Sequence, residues 1–354
     1  MGVEWAELPQ EIIESISKRL TIYADYIRFR CVCRTWNSSV PKTPLHLPPQ
    51  LPILMLSDES FFDLSTNKIH RLNFPLPSGP TRICGSSHGW LVILDETSNL
   101  NLLNPVTHAT LSLPSLHTFP YLVKKLFAFN KNNLYLIKVV LSSNPSPNDD
   151  FAAFAILGLR HLAFCRKGCD SWVLLDANVG DHWTDAVYKN GSFFAMSTSG
   201  ITAVCDVVEG PRVSYIPPPT SLYYNDVFYA VFSGEEMLLI QRCCTEEYEP
   251  RDFEPYPDMS TVKFWIYKMN WNMLKWEEIQ TLGEHSLFIG KNYSLSFSAA
   301  DFAGCCPNCI YFTDDIGGKH DHGIYSLSDE SIELLPCDPQ NCGFGYPVWV
   351  TPNP

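Results

Sequence analysis

A short hairpin pattern recurs along most of this chain, and it restricts the possible folds more than any other feature of the sequence. Each copy has an apolar strand, a polar turn and a second strand that often ends in an apolar residue followed by proline. The six copies begin near residues 62, 103, 163, 205, 266 and 325, so their steps are 41, 60, 42, 61 and 59 residues. A period of about forty to sixty residues with hairpins and aromatic side chains is typical of four-stranded propeller blades. We therefore predict an all-β domain that is a β-propeller of about six blades.

The prolines that end four of the hairpins support this prediction. They are Pro75, Pro114, Pro217 and Pro336. A proline at the end of a strand suits an outer edge, where no N–H is needed for a hydrogen bond to a further strand. Residues 347–351 form a last strand that we expect to close the ring against the first blade. A pair of β-sandwiches would explain the strands equally well, but it would not explain their spacing.

Residues 8–40 differ from the rest of the chain because their apolar pattern is helical. Pro9 suits the first position of a helix, and apolar residues then form a stripe on one face, namely Ile12, Ile13, Ile16 and Leu20. We expect a second helix to begin near Asp25, which can cap it, and a third to hold Trp36 and Val40 and to end at Pro41.

Three helices in so few residues cannot bury all their apolar surface among themselves, because domains of fewer than about 40 residues are rarely stable alone. Part of the stripe must face another body. That body is either the chain's own β domain or a second protein, and the pattern alone leaves both alternatives open.

The residues of this segment closely resemble the F-box. The segment reads Leu8-Pro9-x-Glu11-Ile12-Ile13, then Ile16, Arg19-Leu20, Asp25-Tyr26-Ile27-Arg28-Phe29-Arg30 and Val32-Cys33-Arg34-x-Trp36. It is similar to the variant in plant F-box proteins of the KIB/SKIP-like group. In that group the second half is a conserved domain of unknown function with a kelch-like propeller. Stretches at 85–91 and 307–315 resemble that domain.

The resemblance implies that the helices dock onto the Skp-type adaptor of a cullin-RING ubiquitin ligase. The implied adaptor contacts are Leu8, Pro9, Ile12, Ile13, Ile16, Leu20, Ile27, Val32, Cys33 and Trp36. Of these, Trp36 and Val32 are expected to pack inside the helical segment. Ser17 departs from the family pattern, since many F-boxes have an apolar residue there.

These observations predict three parts. Residues 1–41 form a small α-helical F-box, residues 42–52 a proline-rich, stiff linker, and residues 53–354 the propeller that recruits a substrate. The resemblance implies a substrate-receptor subunit of an SCF-type ligase that is not itself an enzyme. The alternative is a propeller that sequesters or inhibits a partner without degrading it and that carries a vestigial F-box. The sequence does not identify the target protein.

Charge and composition exclude several other functions. The chain carries a formal charge of −13, and nearly all of it lies beyond residue 50, so we expect no nucleic-acid partner. No apolar run approaches the ~18 residues of a membrane span, and the first ten residues lack the apolar core of a secretory signal. With 13 scattered cysteines that we expect to be reduced, these features predict a protein of the cytoplasm or nucleus.

One cluster near the C-terminus raises the alternative of a structural zinc site. It comprises Cys305, Cys306, Cys309, His320, His322, Cys337 and Cys342. The Cys306-x-x-Cys309 spacing suits zinc, but Cys309 begins an apparent strand, and free cysteines also pack well as small apolar groups in β cores. We predict no metal, no cofactor and no catalytic residues, because titratable residues otherwise occur singly and no phosphate-binding glycine motif is complete.

Overall fold

The structure is a computed structural model of the full chain. It describes residues 5–353 except positions 43, 45, 49, 58–59, 72–80, 120–135, 146–149, 159, 178, 209, 221–225, 248–257, 314–320 and 336–346. Several features of the sequence analysis lie outside the described residues. These are Pro75, Pro336, His320, Cys337 and Cys342.

Three α-helices form the N-terminal head. They are α1 (Gln10–Ser17), α2 (Tyr23–Arg30) and α3 (Arg34–Ser39). Two of the predicted boundaries were wrong. Pro9 is the N-cap of α1, not its first residue, and α2 begins two residues before Asp25, which pairs with Arg28 at 2.8 Å and caps nothing. Val40 follows α3 in extended conformation, as the residue before a proline commonly does.

Six sheets follow, and each is one blade of the propeller. The strands of the first three blades are, in blade 1, β1 (Ile53–Met55), β2 (Ser60–Asp63) and β3 (Lys68–Arg71); in blade 2, β4 (Thr81–Ser87), β5 (Trp90–Asp95), β6 (Leu100–Leu103) and β7 (Thr110–Leu113); and in blade 3, β8 (Leu136–Leu141), β9 (Ala152–Leu157), β10 (His161–Arg166) and β11 (Val173–Leu175).

The other three blades complete the ring. Their strands are, in blade 4, β12 (Trp183–Lys189), β13 (Ser192–Ser197), β14 (Thr202–Asp206) and β15 (Arg212–Ile216); in blade 5, β16 (Val227–Ser233), β17 (Glu236–Glu247), β18 (Asp258–Asn270) and β19 (Lys275–Ile279); and in blade 6, β20 (His285–Ile289), β21 (Leu295–Ser298), β22 (Cys309–Phe312), β23 (Gly323–Ser326) and β24 (Ile332–Leu334). A last strand, β25 (Val348–Val350), belongs to blade 1.

The hairpin repeat of the sequence is the outer hairpin of every blade. The six copies correspond to the pairs β2–β3, β6–β7, β10–β11, β14–β15, β18–β19 and β23–β24, all of which are antiparallel. The six-bladed propeller fold is therefore confirmed. Pro114 and Pro217 follow the outermost strands of blades 2 and 4, as the edge argument requires.

The C-terminal strand closes the ring, as predicted. β25 pairs antiparallel with β1, with Ile53 opposite Val350 and Met55 opposite Val348. All three β25 residues are buried, whereas the outermost strand of the same blade is largely exposed. Joining the two ends of the chain in one sheet protects the edges that an open ring would expose.

The core lies between neighbouring blades. Stacked aromatic pairs join them, for example Phe154 and Phe193 of blades 3 and 4, whose ring centroids are 4.7 Å apart. At the rim, tryptophan side chains bind the preceding blade. Trp172 Nε1 donates to the carbonyl oxygen of Pro114 at 2.8 Å, and Trp276 Nε1 donates to that of Pro217 at 3.0 Å. The repeated prolines thus also supply acceptors for the next blade.

Candidate protein-interaction site

The head has a small core of its own. Buried side chains from all three helices meet there, and they are Ile13, Tyr26, Phe29, Trp36 and Val40. The rings of Phe29 and Trp36 lie 4.4 Å apart. The Tyr26 hydroxyl donates to the carbonyl oxygen of Pro41 at 2.7 Å, so the polar atom of this buried ring has a partner.

The described part of the linker lies against the head. Gln50 accepts from the backbone N–H of Tyr23 at 2.9 Å and donates to the carbonyl oxygen of Thr21 at 3.0 Å. His46 Nε2 lies 2.9 Å from the Ser17 carbonyl oxygen, and Leu47 packs on the helical core. The sequence pattern predicted a stiff linker but gave no sign of these contacts, which fix it to the ends of α1 and α2.

The structure sorts the ten predicted adaptor contacts into three groups. Two are buried in the head, Ile13 and Trp36. Five are half-buried, and all of them except Ile27 pack against that core: Leu8, Ile16, Leu20, Ile27 and Cys33. Three are exposed: Pro9, Ile12 and Val32. Trp36 therefore packs internally as expected, but the expectation that Val32 does so was wrong, because its side chain is 56% exposed.

The helical stripe accordingly has one side inward and one side outward. Ile12 is 47% exposed although its neighbour Ile13 is fully buried. Sequence reasoning missed two further exposed apolar residues of the head, Trp5 and Ile22. The available signal for both was a single large apolar residue outside the helical stripe. Together with Ile12 and Val32 they are the large hydrophobic side chains that the described part of the head exposes.

The head and linker lie over one face of the propeller. A cavity of about 1410 Å³ separates them, lined by Thr21 and Leu47 on one side and by His88, Asn104 and Tyr293 on the other. The propeller residues that line it lie at turns of blades 2 and 3, in and around β21 of blade 6, and in residues 351–353 after β25. Deep burial lowers the pKa of His88, although a contact with the Leu141 carbonyl oxygen opposes that shift.

The axis of the propeller is closed from that face by residues 290–294 of blade 6. Tyr293 donates its backbone N–H to Ser86 of blade 2 at 2.6 Å and its hydroxyl to the Tyr188 carbonyl oxygen of blade 4 at 2.8 Å. The Gly290 carbonyl oxygen accepts from Lys138 Nζ of blade 3 at 2.9 Å. One segment can reach three other blades only at the axis, so we call residues 290–294 the axial plug.

A buried ion pair lies beside the axial plug. Lys138 Nζ contacts Asp185 Oδ1, and Asp185 Oδ2 accepts from the backbone N–H of Ala230 at 3.0 Å and from the Ser294 hydroxyl at 3.1 Å. Complete burial raises the pKa of the Asp185 carboxyl, and the Lys138 ammonium acts against that shift. The pair and its partners come from blades 3 to 6, which makes it a joint between blades.

Five described cysteines of the propeller are buried: Cys84, Cys165, Cys205, Cys305 and Cys309. Burial raises the pKa of Cys165 and of Cys205 to about 12 and that of Cys309 to about 11, so these thiols stay protonated at neutral pH. Cys309 Sγ donates to the Pro307 carbonyl oxygen at 3.2 Å. Within the described residues no three His, Cys, Asp or Glu side chains form a group that could hold a metal ion. No helix among them is long and apolar enough to cross a membrane.

Comparisons with known proteins cover both parts of the chain. The profile of the F-box domain matches residues 5–47, and that of the KIB1-4 beta-propeller matches residues 61–326. Among curated proteins, F-box protein SKIP23 of Arabidopsis thaliana is 27% identical over 99% of this chain and 96% of its own length. F-box protein At2g26160 of the same plant is 24% identical over 88% of this chain and 96% of its own length.

Proposed function

This chain belongs to the KIB1-4 β-propeller family and carries an N-terminal F-box, and we propose that it is the substrate-receptor subunit of an SCF-type cullin-RING ubiquitin ligase. In this role the head binds a Skp-type adaptor, which connects the chain to the cullin and RING subunits. The propeller holds a target protein. We place this complex in the cytoplasm or the nucleus.

The observation that carries the proposal is the divided apolar stripe of the head. Ile13 and Trp36 stabilise the three helices from within, while Ile12 and Val32 remain exposed on a domain that already has a core. Exposed apolar side chains beside a preformed core are the usual anchors of a protein interface. The match to the F-box profile over the same residues supports a Skp-type adaptor as the partner of this surface.

The chemistry of ubiquitin transfer then belongs to other subunits. The chain contributes by holding the target near the charged ubiquitin-conjugating enzyme, which raises the effective concentration of the target's lysines. A fixed geometry favours this role, and two features supply it. The linker is bound to the head through His46 and Gln50, and β25 closes the propeller into a rigid ring.

A reconstituted ligase tests the proposal. The full chain is mixed with a plant Skp adaptor, cullin, RING subunit, conjugating enzyme and ubiquitin, and modification of the chain's own lysines is followed. We expect modification that depends on the adaptor and is lost in an Ile12→Ser/Val32→Ser variant. The matched control, Leu334→Ser on the outer strand of blade 6, should retain it. Equal modification of the wild-type chain without the adaptor would overturn the proposal.

A further inference from the structure

The outer hairpins of the blades share one turn design. In four of them the side-chain oxygen of an Asp or Asn at the end of the third strand accepts a backbone N–H two residues on, at 2.9 to 3.2 Å. These acceptors are Asp63, Asn104, Asp206 and Asn270. Such a bond fixes the turn and leaves the side chains at its tip free to vary. The side chains at the tips of these equivalent turns can therefore be compared directly between blades.

The turn of blade 5 differs from its counterparts in what it presents. Those of blades 1 and 6 carry Ser65, Thr66, Asn67, Ser328, Asp329 and Glu330, and that of blade 4 exposes a single apolar side chain, Val208. Blade 5 instead presents residues 271–274, here called the blade 5 tip, in which Trp271 is 45%, Met273 62% and Leu274 58% exposed. Turns are normally polar because they face water, so three large apolar side chains in four residues require another explanation.

The blade 5 tip is held in a defined conformation. Asn270 Oδ1 accepts the backbone N–H groups of Asn272 and Met273, both at 3.2 Å. The Trp271 ring meets the buried Phe194 ring of blade 4 edge-on, with centroids 6.3 Å apart. A preformed tip loses little conformational entropy on binding, which favours its use as an anchor for a partner.

The blade 5 tip lies on the same face as the head but away from it. In an antiparallel blade the turn between strands three and four lies at the same end as the turn between strands one and two. Turns at this end of blades 2 and 3 line the cavity beneath the head, together with β21 of blade 6 and residues 351–353, whereas blades 4 and 5 contribute no residue to its lining. The side chains of Trp271, Met273 and Leu274 are exposed, so the described part of the head does not cover them.

The charges around the blade 5 tip favour a basic partner. Three lysines lie near the tip: Lys189 pairs with Glu235 at 2.8 Å, Lys268 pairs with Glu236, and Lys275 is exposed directly after the tip. With Glu277 and Glu278, which are exposed further along β19, the glutamates outnumber these lysines by four to three. The chain as a whole carries −13. An approaching basic segment is therefore attracted, and an acidic one is repelled.

We propose that the blade 5 tip is the docking site for a target-protein segment in which large apolar side chains are flanked by Lys or Arg. The apolar side chains of that segment pack on Trp271, Met273 and Leu274, and its basic groups face Glu277 on one side of the blade or Glu278 on the other. This inference rests on the proposed function, because it assigns the target-binding role of the propeller to one part of one face.

A phage-displayed library of random short peptides, panned against the full chain, tests this inference. The variant is Trp271→Ala/Met273→Ser/Leu274→Ser, and the matched control is Leu334→Ser, which changes an exposed apolar residue of blade 6. We expect enriched peptides to combine apolar residues with an excess of Lys and Arg. Their affinity should fall about tenfold or more in the variant and stay unchanged in the control. Added salt should weaken binding.

Three outcomes would overturn the inference: enrichment of acidic or purely polar peptides, equal binding to the variant, or no enrichment. Light scattering, which measures the oligomeric state, adds a fourth such outcome. If the wild-type chain is a dimer and the variant is a monomer, the occupant of the tip is a second copy of the chain. Adaptor binding is measured on the same variant. If the chain binds the adaptor but selects no such peptides, only the docking site is refuted. If the wild-type chain does not bind the adaptor, the ligase role is refuted.

Discussion

Ile12 and Ile13 are adjacent on α1, yet Ile13 is fully buried in the head and Ile12 is 47% exposed. The backbone N–H groups of both residues are bonded to the Pro9 carbonyl oxygen, at 3.0 and 3.2 Å, so both belong to the same helical turn. One side chain stabilises the three helices, and the other is available to a partner.

Substituting these two residues separates stability from binding. Ile12→Ala should weaken adaptor affinity by about 1–3 kcal/mol with little change in thermal stability, because it removes an interface contact only. Ile13→Ala should destabilise the head by about 2–4 kcal/mol, because it opens a cavity in its core. Titration calorimetry with the adaptor and thermal unfolding measure the two effects. Equal unfolding behaviour of both variants would contradict the division.

The ion pair at the axis provides a second prediction. Lys138→Met should destabilise the chain by about 3–5 kcal/mol, because it leaves the Asp185 carboxylate buried without a cation. The double variant Lys138→Met/Asp185→Leu should lose less, since no unpaired charge remains. Urea unfolding measures both. The exposed pair Lys268–Glu236 is the control, and Lys268→Met should cost less than about 1 kcal/mol. A double variant as unstable as the single one would refute this account.

The axial plug depends on a glycine. Gly85 has φ +142°, and a Cβ there would lie 2.9 Å from the Val139 carbonyl oxygen and 3.2 Å from that of Lys291. Gly85→Ala should therefore destabilise the propeller by about 1–3 kcal/mol, since both backbone strain and a close contact arise. Gly234→Ala is the control, because it shares a positive φ but has no atom within 4 Å of the added Cβ. If both variants lose the same stability, backbone strain alone explains the effect, and the contact with the axial plug contributes nothing.

Asp181 predicts a pH dependence. Partial burial tends to raise the pKa of its carboxyl, but hydrogen bonds from Ser199, Thr198 and His182 outweigh burial and lower it to about 2. Since the unfolded value is about 3.9, this carboxylate stabilises the fold above about pH 4 and loses that contribution as the pH falls toward 2. The stability difference between wild type and Asp181→Asn should shrink from pH 6 to pH 3. An unchanged stability difference between pH 6 and pH 3 would contradict this explanation.

The sequence predicted the parts of the fold that depend on residues close together along the chain. Each outer hairpin needs only about 15 consecutive residues, so its strands, turn and terminal proline are visible in the sequence. The axial plug was not visible, because Asn292 meets Ser86 across the ring and no local pattern records that contact. The same reason hides the parallel pairing of β20 with β22 in blade 6.

The head shows a similar limit. Helical periodicity located the stripe of α1 correctly, but it could not tell that Val32, one position past the C-cap of α2, faces outward. The choice depends on how α2 and α3 pack, which a single helix does not specify. The adaptor contacts and the kelch-like designation, which came from the family resemblance, stay predictions.

Co-purification with a plant Skp adaptor tests the central claim most directly. The full chain is expressed with the adaptor and compared with a chain that lacks residues 1–41, and both are analysed by size-exclusion chromatography. We expect the full chain to form a stable one-to-one complex with the adaptor and the truncated chain to elute separately from the adaptor. A folded full chain that elutes apart from the adaptor would contradict the ligase role and leave a propeller that binds its partner without ubiquitin transfer.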